Sequence, residues 1–287
     1  DFSGLLQNFS LEVMPRTADK IGNFSEILPA NTLIYIAHID GTSIDEMVRT
    51  SARLRDEGFQ VMPHFPARII KDKATLADWI DRYTSEAGVK QALLLAGGVN
   101  EPEGDFESSM QLLETELFDK FGFTDLNVAG HPEGNKDIDL DNTSKNVDMA
   151  LEWKQKFSER TDASMGITTQ FAFESKPVFE WANRIQASGI NLPINVGVAG
   201  PAKLQTLIKF AIACGVGPSL KVLQKRAMDI TKLLLPYDPT DVLNELAIGK
   251  TQNPNANISN IHFFPLGGIK ANAEWISNNL TKKIMSA

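Results

Sequence analysis

Short apolar or β-branched runs recur along the chain at about residues 9–14, 33–39, 60–65, 91–96, 126–130, 164–169, 193–198 and 261–264. Each has the length and bounding residues of a buried strand. Between them lie segments with helical spacing of apolar positions: Ser43 to Glu57, Lys73 to Ala87, Phe106 to Phe121, Thr143 to Arg160, Lys176 to Ser188 and Lys203 to Cys214. Thr42 or Ser43 supplies an N-cap for the first, and Ser175, with Pro177 close behind, opens another. Strand-helix alternation of this kind predicts a closed (β/α)8 TIM barrel, a single catalytic domain over residues 1–287, with an open doubly wound sheet as the competing architecture. The stretch 215–260 is longer than one strand-helix unit requires. It predicts extra helices, roughly Ser219 to Leu235 and Thr240 to Ile248, before the Asn- and Pro-rich loop TQNPNANISN.

Glu12 interrupts the first apolar run, Phe9-Ser10-Leu11-Glu12-Val13-Met14-Pro15. An unpaired carboxylate in a buried strand is expensive to desolvate, so Glu12 is paired, kept neutral, or placed at a strand end facing a ligand. Pro15 cannot donate to a ladder, which sets Glu12 near the carboxyl end of the strand, where parallel α/β proteins carry their sites. A plain ion pair with Arg16 or Lys20 is the competing reading.

At 287 residues and 43% hydrophobic, the chain can build one large core. A net charge of −8, with no basic run longer than a pair such as Lys282-Lys283, argues against nucleic-acid or anionic-membrane partners. No window is apolar enough for a membrane helix, and the first residues lack a basic and apolar leader, so the expectation is a soluble, cytoplasmic protein with small-molecule partners. The one cysteine, Cys214, sits in the apolar run Phe210-Ala211-Ile212-Ala213-Cys214, reads as a core filler, and excludes an intrachain disulfide. The sequence leaves the oligomeric state open, a homo-oligomer included.

The residues just after the expected strands are polar or glycine-rich: His38 and Asp40, Pro63-His64-Phe65, Ala96-Gly97-Gly98-Val99-Asn100, Gly130-His131-Pro132-Glu133-Gly134-Asn135, Thr168-Thr169-Gln170-Phe171, and Gly197-Val198-Ala199-Gly200. His38, His64, His131 and Glu133 are of metal-ligating types, but no HxH or HExxH spacing connects them. Gly97-Gly98 lets backbone N–H groups approach a phosphate or flat ring, and equally makes a plain turn. Gln170, between threonines and Phe171-Ala172-Phe173, suits a heterocycle with several donors and acceptors; an amide satisfied by backbone is the alternative.

Taken in order, these segments resemble the methylenetetrahydrofolate reductase family, over nearly the whole chain from SLEVMP at 10–15 to HFFPLGG at 262–268. SLEVMPR is similar to the family's Ser-Phe-Glu-hydrophobic-Pro strand, which implies that Glu12 is the catalytic acid. Pro63-His64-Phe65 resembles the family's Pro-His-Leu, whose histidine lies against the flavin. VAGHPEG resembles Val-Ala-Ala-Tyr-Pro-Glu, with His131 in the tyrosine's place and Glu133 retained. TTQFAFE resembles Ile-Thr-Gln-Phe-Phe-Phe-Asp, which makes Gln170 the pterin-binding amide and puts Thr168 on the cofactor side. NVGVAGPAKLQTLIKF resembles the seventh strand and its helix, placing Phe210 against the folate's aminobenzoate. The resemblance implies a (β/α)8 barrel that binds FAD and a reduced folate, with NADH or another NAD(P)H donor.

One departure is large. The family's fourth strand ends in Arg-Gly-Asp, and this chain has Ala96-Gly97-Gly98, with Gly98 on the substrate side and Ala96 and Gly97 beside the cofactor. A cation expected at the cofactor's diphosphate and an anion expected to tune the flavin are both gone. Lys156 is the remaining candidate phosphate partner, and Asn135 stands where the family often has a second histidine. The expected activity is interconversion of 5,10-methylene- and 5-methyltetrahydrofolate by hydride transfer, with Glu12 as general acid. The alternatives are a flavin-independent folate enzyme, using nicotinamide directly or transferring a methyl group, and a non-catalytic folate-binding protein.

Overall fold

The computed structural model describes residues 2–229 and 235–285. Eight strands follow one another around a closed barrel. They are β1 (Ser10–Val13), β2 (Leu33–Ile36), β3 (Gln60–Pro66), β4 (Gln91–Leu95), β5 (Asp125–Gly130), β6 (Ser164–Ala172), β7 (Ile194–Ala199) and β8 (Ile258–Phe264). The closed sheet settles the choice of architecture in favour of the barrel over the open doubly wound sheet. Parallel ladders run in register from Leu33–Gln60 to Ile36–Pro63 between β2 and β3, and from Asn195–Asn260 to Ala199–Phe264 between β7 and β8.

The helices are α1 (Pro15–Ala18), α2 (Ile44–Asp56), α3 (Lys73–Ala87), α4 (Ser109–Glu114), α5 (Leu117–Lys120), α6 (Lys145–Ser158), α7 (Ser175–Ala187), α8 (Leu204–Ala213), α9 (Gly217–Met228), α10 (Thr240–Gln252) and α11 (Ile269–Met285). Ser43 caps α2 in a reciprocal capping box with Glu46, as its sequence predicts. Pro15 both ends β1 and occupies the first position of α1, where a missing N–H is harmless. At α7 the cap falls on Glu174 rather than Ser175, whose N–H instead donates to Glu245 Oε2 at 3.1 Å. The single helix expected over 106–121 is two short ones. Glu116 breaks it with φ 58°, and Thr115 Oγ1 donates to Leu112 O at 2.6 Å, a local bond that competes with the helix. The expected helix from Ser219 to Leu235 is α9 as far as Met228; residues 230–234 lie outside the described residues.

The chain forms two compact units, residues 11–129 with 153–167, and residues 1–10 with 130–152 and 168–287. In the first, Tyr35, Met62 and Leu93 pack from three successive strands, and Asn127 Nδ2 donates to the Tyr35 hydroxyl at 2.8 Å, so the buried phenol has a partner. Phe65, Phe118 and Phe123 meet edge to face. In the second, Phe171, Phe173, Ala199, Leu207 and Tyr237 form a core cluster. Gly197 is required there: a Cβ would fall 2.5 Å from Thr169 O and 2.7 Å from a Phe264 ring carbon.

Candidate functional site

Two groups of polar side chains stand at strand ends, one in each unit. In the first unit Glu12 is the penultimate residue of β1 and His64 lies near the end of β3. Glu12 Oε1 and His64 Nε2 are 2.9 Å apart, with the side chains 18% and 10% exposed. The contact is at ion-pair distance, although its angles fall outside those of a directed hydrogen bond. Glu12 is thus paired with a histidine. His38, at the end of β2, stacks on Trp79 with centroids 5.1 Å apart and holds Thr42 O with Nε2 at 2.8 Å. Burial, opposed in part by the Thr42 bond, pulls its pKa below the ordinary value, so it stays neutral at physiological pH.

The loop after β4 belongs to the same unit. Gly97 has φ 104°, a conformation that side chains rarely adopt, and a Cβ there would meet Pro66 Cβ at 3.1 Å. Gly98 faces open space, with nothing within 4 Å of a built Cβ. Arg68 pins this loop: its N–H donates to Ala96 O at 2.9 Å, and its guanidinium donates to Val99 O at 3.1 Å and to Glu107 O. Lys156 is solvent-exposed on α6, whereas Lys154, two residues earlier, is buried. Burial drives the Lys154 ammonium down to about 8.

In the second unit a pocket is lined by His131, Glu133 and Gly134 after β5, Gln170 and Phe171 of β6, and Val216 ahead of α9. Glu133 Oε1 accepts from both the backbone N–H and the hydroxyl of Ser219, each at 2.9 Å, and so caps α9. Its Oε2 is buried and has no hydrogen-bond partner among the described residues. Burial raises the Glu133 pKa, an effect the Ser219 bonds oppose and Glu174 reinforces. Gln170 Oε1 accepts from Phe171 N at 3.1 Å, which fixes the amide plane. Below it, Thr169 Oγ1 accepts from Gly197 N at 2.9 Å and donates to Gln170 O at 2.8 Å. Thr168, 5% exposed, approaches Asn195 Nδ2 at 3.5 Å. Phe210 lies on α8, 38% exposed, and does not line this pocket.

Cys214 is exposed at the C-terminal cap of α8, which corrects its reading as a core filler: Phe210, Ile212, Ala213 and Cys214 share the outer side, and Leu204, Leu207 and Ala211 face inward. Among the described residues no group of three or more potential metal ligands is found, and no helix is long and apolar enough to cross a membrane. Three features go unanticipated in the sequence: the buried Lys154, the Ser219 partner of Glu133, and His262. The last is fully buried in β8 and within 2.8 Å of Ser10 Oγ. The alternating pattern of β8 carried a signal for His262, since Ile261 and Phe263 face the opposite side from it.

Within the first unit, the groups that could meet the phosphates of a flavin dinucleotide are Lys156, Arg68 and the Gly97-Gly98 turn. Its two phosphates call for a cation or a cradle of N–H groups. Lys156 faces solvent, and Arg68 is committed to backbone carbonyls. The open space over Gly98 would admit a ring, but it brings no charge.

Fold and side chains together define an α/β barrel with an acid–histidine pair at its strand ends. No family model matches the chain. Among solved structures it is similar to 7,8-dihydropteroate synthase from Vibrio fischeri, with 9% identity, TM-score 0.45, and coverage of 99% of this chain and 96% of that one. It is also similar to endonuclease IV from Thermus thermophilus (12%, TM-score 0.42, 98% and 100%). A mutant tryptophan synthase alpha-subunit from Pyrococcus furiosus gives 12% identity and TM-score 0.41 over 84% and 97%. Likenesses this low do not bear on activity.

Proposed function

We propose that the chain is a one-carbon oxidoreductase interconverting 5,10-methylenetetrahydrofolate and 5-methyltetrahydrofolate by hydride transfer, with Glu12 as general acid. The observation that carries the reading is the part-buried Glu12–His64 contact at 2.9 Å between the ends of β1 and β3. Reduction needs a proton on the leaving amine. The ring C–N bond then breaks with its electron pair staying on nitrogen, and the resulting iminium carbon accepts hydride to become the methyl group. A carboxyl in an apolar wall is suited to deliver that proton, and a histidine in contact with it can return one after each turnover. Following the family resemblance, Gln170 orients the pterin and Phe210 the aminobenzoate.

The hydride donor in this reading is a reduced nicotinamide or a reduced flavin. FAD and NAD(P)H both carry a diphosphate, so the exposure of Lys156 and the uncharged Gly97-Gly98 turn do not choose between them. Near-ultraviolet and visible absorbance of the purified protein, before and after adding FAD, separates the two. A purely binding role has little use for a part-buried acid–histidine pair at strand ends. The test of the chemistry is Glu12→Gln, expected to lower kcat by about 10² to 10⁴ while leaving reduced-folate affinity within a few-fold. Equal loss of binding, or turnover that survives, would sink the assignment.

A further inference from the structure

We propose that His38 is a proton-operated latch on the loop after β2, residues 39–42, fastening that loop while its ring is neutral and releasing it when the ring takes up a proton. Such a device works whatever ligand the barrel takes.

The latch has three parts, all within the first unit. His38 Nε2 lies 2.8 Å from Thr42 O, and since a carbonyl can only accept, Nε2 carries the proton of the neutral ring. That bond ties the start of the loop to its last residue, across a turn in which Thr42 N donates to Ile39 O at 3.0 Å and Gly41 takes φ 85°. Trp79 of α3 stacks on the ring at 5.1 Å and fixes its plane. The third part is Nδ1, which is buried and has no hydrogen-bond partner among the described residues. In the neutral ring it is a lone pair. In the protonated ring it is a charged N–H donor with nothing to receive it. The closed loop therefore disfavours the protonated ring, and an open loop, where water reaches Nδ1, accepts it.

Little else holds the loop down. Ile39 is 50% exposed, Asp40 is exposed, and no atom lies within 4 Å of a Cβ built on Gly41. Burial is the largest influence on the ring and lowers its pKa below the ordinary 6.5, with the Thr42 bond opposing it in part. His64 of β3 repels a second positive charge, and Glu46 of α2 attracts one but is itself held by Ser43 and faces Arg49. From α3 the ring meets uncharged Trp79, and Arg82 of that helix is paired with Asp45 and Glu86. With the closed pKa below that of the open loop, the latch is fast above pH 6.5 and loosens as pH falls below it. β2 stands between β1 and β3, which carry Glu12 and His64, so the loop it feeds opens beside that pair.

The test compares the unmodified protein with His38→Phe, which keeps a ring for Trp79 to stack on but can neither bond Thr42 nor take a proton. NMR of the four histidine rings between about pH 8 and 5 follows protonation, and amide hydrogen exchange, corrected for its intrinsic pH dependence, follows the loop. His38 is expected to titrate below 6.5, and protection at residues 39–42 to fall by up to about tenfold for each pH unit below that value. His38→Phe should show low protection that pH does not change. A His38 that titrates at 6.5 or above, protection that is the same at every pH, or a pH dependence that survives in folded His38→Phe each overturns the latch. If the variant does not fold, the unmodified protein decides alone. Loss of protection that levels off once His38 is fully protonated supports the latch, and loss that tracks a different histidine sinks it.

Discussion

Replacing Gly197 with alanine adds one methyl group in the narrow space between β6 and β7. The built Cβ lies 2.5 Å from Thr169 O, 2.7 Å from Phe264 Cε2 and 2.9 Å from Gln170 C. Carbon contacts are favourable near 3.5 to 4.0 Å, so each of these is well inside the repulsive wall. Two of the three atoms are backbone, and no rotamer change relieves them. Overpacking of this kind costs about 1–3 kcal/mol, with the upper end expected where strands themselves must part. The lower entropy of the unfolded alanine chain offsets about 0.5 kcal/mol, leaving about 2.5 kcal/mol net. At about 2.1 cal/mol/K per residue, the unfolding entropy of 287 residues is about 0.6 kcal/mol/K, so Tm should fall by about 4 °C. Circular dichroism melts, with urea midpoints as a second measure, read this directly. Because Gln170 is among the displaced atoms, the proposed reduced-folate reading expects affinity for that ligand to fall as well. A Tm within about 1 °C of the parent would refute the reasoning, for it would mean that β6 and β7 separate at almost no cost.

Gly98→Asp meets open space, so it should leave Tm within about 1 °C of the parent, which circular dichroism melts check. Lys154→Met should stabilise the protein by about 3 kcal/mol at pH 7, since an ammonium whose folded pKa is about 8 and whose unfolded pKa is near 10.5 opposes folding at every pH below 8. The unfolded chain binds the extra proton between those values, so the parent gains stability as pH rises from 8 to 10.5 and the advantage of Lys154→Met should vanish there. Urea unfolding of both proteins at about pH 7 and about pH 10 measures it, and a gap that does not change with pH would count against a buried ammonium.

Periodicity found the barrel because each strand is a short apolar run between segments of helical spacing. α3 was legible to the residue, as Asp72 caps it through Thr75 N and Gly88 closes it at φ 62°. α11 was not foreseen: its apolar positions are thinly spread among Asn, Lys and Ser, and its start follows Gly267-Gly268 without a side-chain cap in the sequence. Glu12 could be placed from Pro15 alone, but its partner could not. His64 is 52 positions away, and only the barrel, which brings side chains from β1 and β3 together past the intervening β2, makes them meet. Lys154 and Lys156 look equivalent in the sequence, and only the rotation of α6 buries one and exposes the other.

The outward turn of Cys214 makes the chain convenient to watch. It is the sole cysteine in 287 residues and is exposed, so a maleimide dye would attach at one address without any engineering. That address is two positions ahead of Val216, which borders the Glu133–Gln170 pocket. An environment-sensitive fluorophore there would sit near that pocket, and a change in its emission on adding a candidate ligand would be a signal independent of turnover and of any coloured cofactor.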